Sequence, residues 1–108
     1  MKWLRVFESL DKALATVEEG KAKLLIIGER KIALARHKNE FFATADKCPH
    51  NGESLSKGQV NYLGEIICPW HNYRYNLKHG GECQERTSEV TTYPIELKDD
   101  GLYIGIPA

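Results

Sequence analysis

Residues 48–72, CPHNGESLSKGQVNYLGEIICPWHN, decide how the chain reads. They hold two cysteines and two histidines as Cys48-x-His50 and Cys68-x-x-His71, with 17 residues between the half-motifs. GEIICP (64–69) runs into the second half-motif and YRYNL (73–77) runs out of it, both with strand character, so these four side chains sit in loops at strand ends. Upstream, KLLII (23–27), KIALARH (31–37) and EFFATA (40–45) are joined by the short turns GER and KN, which predicts an antiparallel meander. Before them, WLRVF (3–7) is a first strand. Ser9 then caps a short helix whose apolar residues Leu10, Leu14 and Val17 share a face, and Gly20 is expected to close it. Downstream, HGGE (79–82) is a turn, and TTYPIEL (91–97) and LYIGI (102–106) form a final hairpin about an Asp-Gly turn. The fold class expected is mainly β: an antiparallel sandwich or barrel with one short N-terminal helix and two ligand loops at one tip, in a single domain over residues 1–108.

Composition narrows the function classes. At 42% hydrophobic and 28% charged the chain is globular and not disordered. Lys plus Arg and Asp plus Glu both number 15, so no net field draws it to nucleic acid or an anionic membrane. The N-terminal residues MKWLRVFESL lack a signal-peptide apolar region, and no apolar run reaches spanning length, so a soluble, cytoplasmic protein is expected. Three cysteines, two of them beside histidines at metal-ligand spacing, argue for a metal and against a disulfide framework. No nucleophile–base pair or phosphate loop stands out, so intrinsic catalysis is not supported.

A single tetrahedral zinc accepts two Cys and two His, and a zinc-stabilised interaction module is one reading. Cys-x-His is closer than the usual gap between zinc-finger ligands, however, and each half-motif mixes one thiolate with one imidazole. That pairing suits a two-iron, two-sulfide centre in which each loop gives one ligand to each iron.

With both half-motifs in place, and with Gly52 and Leu55 after the first and a Gly-containing turn and a YPIEL strand after the second, the chain resembles Rieske-type [2Fe-2S] ferredoxins over roughly residues 20–106. The resemblance implies one [2Fe-2S] cluster per chain, with Cys48 and Cys68 on the inner iron and His50 and His71 on the outer, solvent-side iron. It implies a one-electron carrier like the ferredoxin component of a multicomponent dioxygenase; the small redox subunit of an NADH-dependent nitrite reductase is the alternative. Partners would be redox proteins, a reductase and a terminal oxygenase or reductase, and the carrier a monomer or weak oligomer. Cytochrome bc-type relatives carry an extra Cys in each loop, where this chain has Glu53 and Trp70, and ring-hydroxylating oxygenases add a catalytic domain for which there is no room. High-potential relatives place a Ser two positions and a Tyr four positions after the last ligand; here these are Tyr73 and Tyr75. Asn72 replaces the family's usual Gly.

Other residues have plainer roles. Pro49, Pro69 and Gly52 shape the loops. Trp70 is either a docking surface or a lid against water. Cys83 has no ligand neighbour in sequence and reads as a structural or unused thiol. His37 and His79 read as surface residues. Lys47, Lys57 and Arg74 are either a solvated face or a guide for an acidic reductase.

Overall fold

The computed structural model describes residues 1–107. Among the described residues, nine strands form three antiparallel sheets with one α-helix beside them, and none of the sheets closes into a barrel. The expected meander is present. β2 (Ala22–Ile27), β3 (Arg30–His37) and β4 (Glu40–Ala45) pair in order with continuous register, Ala22 opposite Ala35 and Ile32 opposite Ala45. β5 (Glu65–Ile67) and β6 (Arg74–Asn76) form the small hairpin that carries the second loop.

β3 is the spine, because its period-2 alternation feeds two cores at once. Ile32 and Leu34 face one way, toward Phe41, Ala43, Leu102 and Ile104. Ala33 and Ala35 face the other, toward Leu55, Ile66, Tyr75 and the two cysteines of the loops. Small alanines on that second face leave room for the 3-10 turn Leu55–Lys57 and the loop bases to pack close.

The helix, α1 (Leu10–Thr16), begins as expected: the Ser9 hydroxyl accepts from the Lys12 N–H at 3.1 Å. It ends earlier than Gly20. Val17 is already extended, and the Arg36 guanidinium reaches the carbonyls of Leu14 (3.1 Å) and Val17 (2.9 Å), satisfying the helix end in place of a glycine cap. Gly20, at φ +75°, makes the turn into β2.

The final hairpin also differs. Pro94 has no N–H to continue a ladder, and the segment splits there. β7 (Thr92–Tyr93) pairs with β4, whereas β8 (Ile95–Lys98) pairs with β9 (Gly101–Ile106) in a separate sheet. β9 pairs on its other side with β1 (Lys2–Phe7), bringing the two ends of the chain together.

Gly58 fixes how β5 delivers its loop. A Cβ there would lie 1.9 Å from the Ile67 carbonyl oxygen, the last carbonyl before Cys68. Its φ of −84° suits any residue, so the constraint is space. Gly58→Ala is expected to cost about 1–3 kcal/mol through overpacking, a fall of roughly 5 °C or more in melting temperature for a domain this size. A thermal melt at the wild-type value would show that β5 moves aside freely.

Candidate metal centre

Two loops of the same design meet at one end of the second core. In each, the cysteine N–H donates to a carbonyl five residues on: Cys48 to Glu53 at 2.8 Å and Cys68 to Tyr73 at 2.8 Å. The first loop is tightened by Gly52, which takes φ +79° and donates its N–H to the Cys48 carbonyl, and by the Asn51 side chain, which accepts from the Glu53 N–H at 2.9 Å. Buried Asp46 braces its base, accepting from the Ser54 hydroxyl and the Ser56 N–H. The second loop turns through His71 (φ +68°) and Asn72 (φ +58°). Histidine and asparagine tolerate this left-handed region better than most residues, so Asn72 holds the conformation a glycine would take.

All four side chains singled out in the sequence come together here, in two pairs. Cys48 and Cys68 are fully buried. His50 and His71 are exposed beside one another, ring centroids 5.8 Å apart in an edge-on arrangement. Among the described residues, no three His, Cys, Asp or Glu side chains gather about one point as a single ion requires. A buried thiol pair with an exposed imidazole pair is instead the division asked for by two irons with two protein ligands each, so the residues fit a [2Fe-2S] cluster with mixed ligation.

Burial pushes the Cys68 thiol up to about 11, with nearby Cys48 adding to the rise and the backbone at Trp70 opposing it. Such a thiol is a poor thiolate by itself, and a cation is what makes ionising it favourable. Tyr75, buried beneath them, places its hydroxyl 3.1 Å from the Cys48 sulfur. Burial first, and that contact second, raise its pKa, which keeps the phenol a donor.

The remaining candidates lie outside this group. Cys83 is exposed, donating to the Glu82 carboxylate at 3.1 Å and accepting from Arg74 at 3.5 Å. Arg74 is thereby occupied, with Glu65 3.8 Å away on its other side. His37, half-buried at the end of β3, lies 3.1 Å from the Tyr62 carbonyl, and His79 accepts from the Gly81 N–H within its own turn. Lys47 and Lys57 are exposed, and so is Trp70, whose ring lies 5.7 Å from that of His71.

Sequence reading missed the far side of Tyr73. That ring stacks on His50 at 3.9 Å and carries the Arg86 guanidinium at 3.8 Å, with Arg86 paired in turn to Glu82. The Glu and Arg four apart in ECQER (82–86) were the available signal.

The Rieske [2Fe-2S] domain family matches residues 3–94. The chain belongs to that family. Its cofactor is therefore the [2Fe-2S] cluster for which the four donors are suited. As a Rieske domain it is 35% identical over 95 residues to the 3-phenylpropionate/cinnamic acid dioxygenase ferredoxin subunit of Escherichia coli (strain K12), covering 87% of this chain and 89% of that one. Among solved structures it is similar to a chain in the complex of reduced oxygenase and oxidized ferredoxin of carbazole 1,9a-dioxygenase, with a TM-score of 0.79 and 25% identity over 94% of this chain and 100% of that chain. A structure described as the small subunit of an NADH-dependent nitrite reductase from Mycobacterium tuberculosis shares the fold, with a TM-score of 0.83 and 18% identity over 99% of this chain and 96% of that one. Among the described residues no helix is long and apolar enough to cross a membrane.

Proposed function

We propose that residues 1–108 form a single-domain electron carrier of the dioxygenase-ferredoxin kind, working in the cytoplasm between a reductase and a terminal oxygenase. Cys48 and Cys68 would hold the inner iron, and His50 and His71 the outer iron. The observation that carries this reading is the sorting of donors by depth: thiols at zero exposure, imidazoles at the surface. When bound, the cluster supplies a reversible one-electron couple. The chain's part is to keep the thiols away from water and to place the two imidazoles where a partner can approach.

The 35% identity to a dioxygenase ferredoxin subunit favours an oxygenase as acceptor, whereas the likeness to the nitrite reductase small subunit is one of fold alone. The carrier reading and the zinc-module reading separate on metal content. Protein expressed with ample iron and purified anaerobically is expected to be red-brown and to hold close to two irons and two acid-labile sulfides per chain. A colourless protein with one zinc would replace the carrier with the module.

A further inference from the structure

Tyr73 joins the proposed outer ligand to an ion pair whose carboxylate, Glu82, is buried and whose guanidinium, Arg86, is exposed. Its ring lies flat on the His50 imidazole, 3.9 Å between centroids and 8° between planes. The Arg86 guanidinium carbon lies 3.8 Å from the same centroid. Two groups this close cannot share one face, so the ring is sandwiched between them. Arg86 is held by both oxygens of Glu82, with Nε 2.9 Å from Oε1 and Nη2 2.7 Å from Oε2, and its own backbone N–H donates to Oε1 at 2.8 Å. The Glu82 side chain has no solvent exposure, so screening there is weak and the bidentate fork is rigid.

We propose that Glu82, Arg86 and Tyr73 form a positioning column for His50: the ion pair holds the Tyr73 ring against the imidazole, and the balance of its two charges sets how readily the centre accepts an electron. This rests on the reading of His50 as a cluster ligand. Reduction adds one electron and therefore one negative charge, with no bond made or broken in the column. A unit of uncompensated charge two stacking distances away, beside a buried carboxylate, changes that equilibrium by well over threefold.

The test compares reduction potentials of cluster-loaded wild type, Arg86→Gln, Glu82→Gln and the double variant by protein-film voltammetry. Arg86→Gln strands the carboxylate and is expected to lower the reduction equilibrium constant at least threefold, about 28 mV at 59 mV per tenfold. Glu82→Gln strands the guanidinium and is expected to raise it at least threefold. The double variant is expected within threefold of wild type, as is Arg86→Lys, which keeps the charge; Glu82→Gln alone carries the test of sign and size if Arg86→Gln does not load. Tyr73→Leu is expected to alter the nitrogen hyperfine couplings of one histidine in the reduced protein at unchanged iron content. Potentials that shift less than threefold or in the same direction in the two single variants, or couplings identical to wild type, overturn the column. A wild-type chain that binds no iron and sulfide overturns the ligand reading beneath it.

Discussion

Cys48→Ser and Cys68→Ser are each expected to abolish the visible spectrum and the bound iron, while Cys83→Ser leaves both intact. The reason is depth as much as chemistry. A serine hydroxyl is a far poorer ligand for iron than a thiolate, and both proposed ligand positions are sealed, so no water or neighbouring carboxylate can stand in. Each loop also hangs on a backbone bond from its own cysteine, to Glu53 or to Tyr73, so the substituted side chain stays fixed in the ligand position and cannot swing out to let another group in. Cys83 is exposed, on the segment after β6, and its contacts are Glu82 and Arg74. Iron and sulfide analysis beside the absorption spectrum decides it. Equal loss in all three variants would place Cys83 in the centre and overturn the assignment.

What was legible in the sequence is what is local. β2, β3 and β4 follow one another through short turns, so their alternation and turn residues specify pairing without reference to the rest of the chain. The two half-motifs that come together at one end of the second core were legible for the same reason, since each is complete within four residues. The parts misread or missed depend on distant partners. Arg36, on β3, ends the helix by occupying its last carbonyls, and nothing near Gly20 announces that. Pairing of β1 with β9 joins residues about a hundred positions apart, and neither strand carries a mark of the other. Pro94 was visible, yet whether it bends one strand or divides two sheets depends on where β4 and β9 lie. Tyr73 is the instructive case at the site. Comparison with high-potential relatives marks it as a lost hydroxyl donor, whereas the structure puts its ring to another use, between His50 and Arg86.

That use bears on the second large effect, the potential of the centre. Rieske centres span about −150 to +300 mV, and donors to the sulfurs raise the value by stabilising the electron-rich reduced state. Tyr75 retains such a contact, 3.1 Å from the Cys48 sulfur, with both residues fully buried. The second donor of high-potential relatives is absent, because the Tyr73 ring is committed to its stack. With Glu53 and Trp70 at the positions of their extra cysteines, the loops also lack the covalent tie of those relatives. One hydroxyl donor in place of two puts the expected potential in the lower part of the range, roughly −150 to 0 mV. Tyr75→Phe removes the remaining donor while keeping the ring that fills the core, so packing is preserved and the hydrogen bond alone is lost. At about 1 kcal/mol for that bond, the potential is expected to fall by roughly 40 mV for a one-electron couple, with iron content unchanged. A wild-type potential above about +100 mV would overturn the low-potential assignment. A Tyr75→Phe potential equal to the wild type's would show that the phenol does not distinguish the two oxidation states, leaving the charges around the imidazoles to set the value.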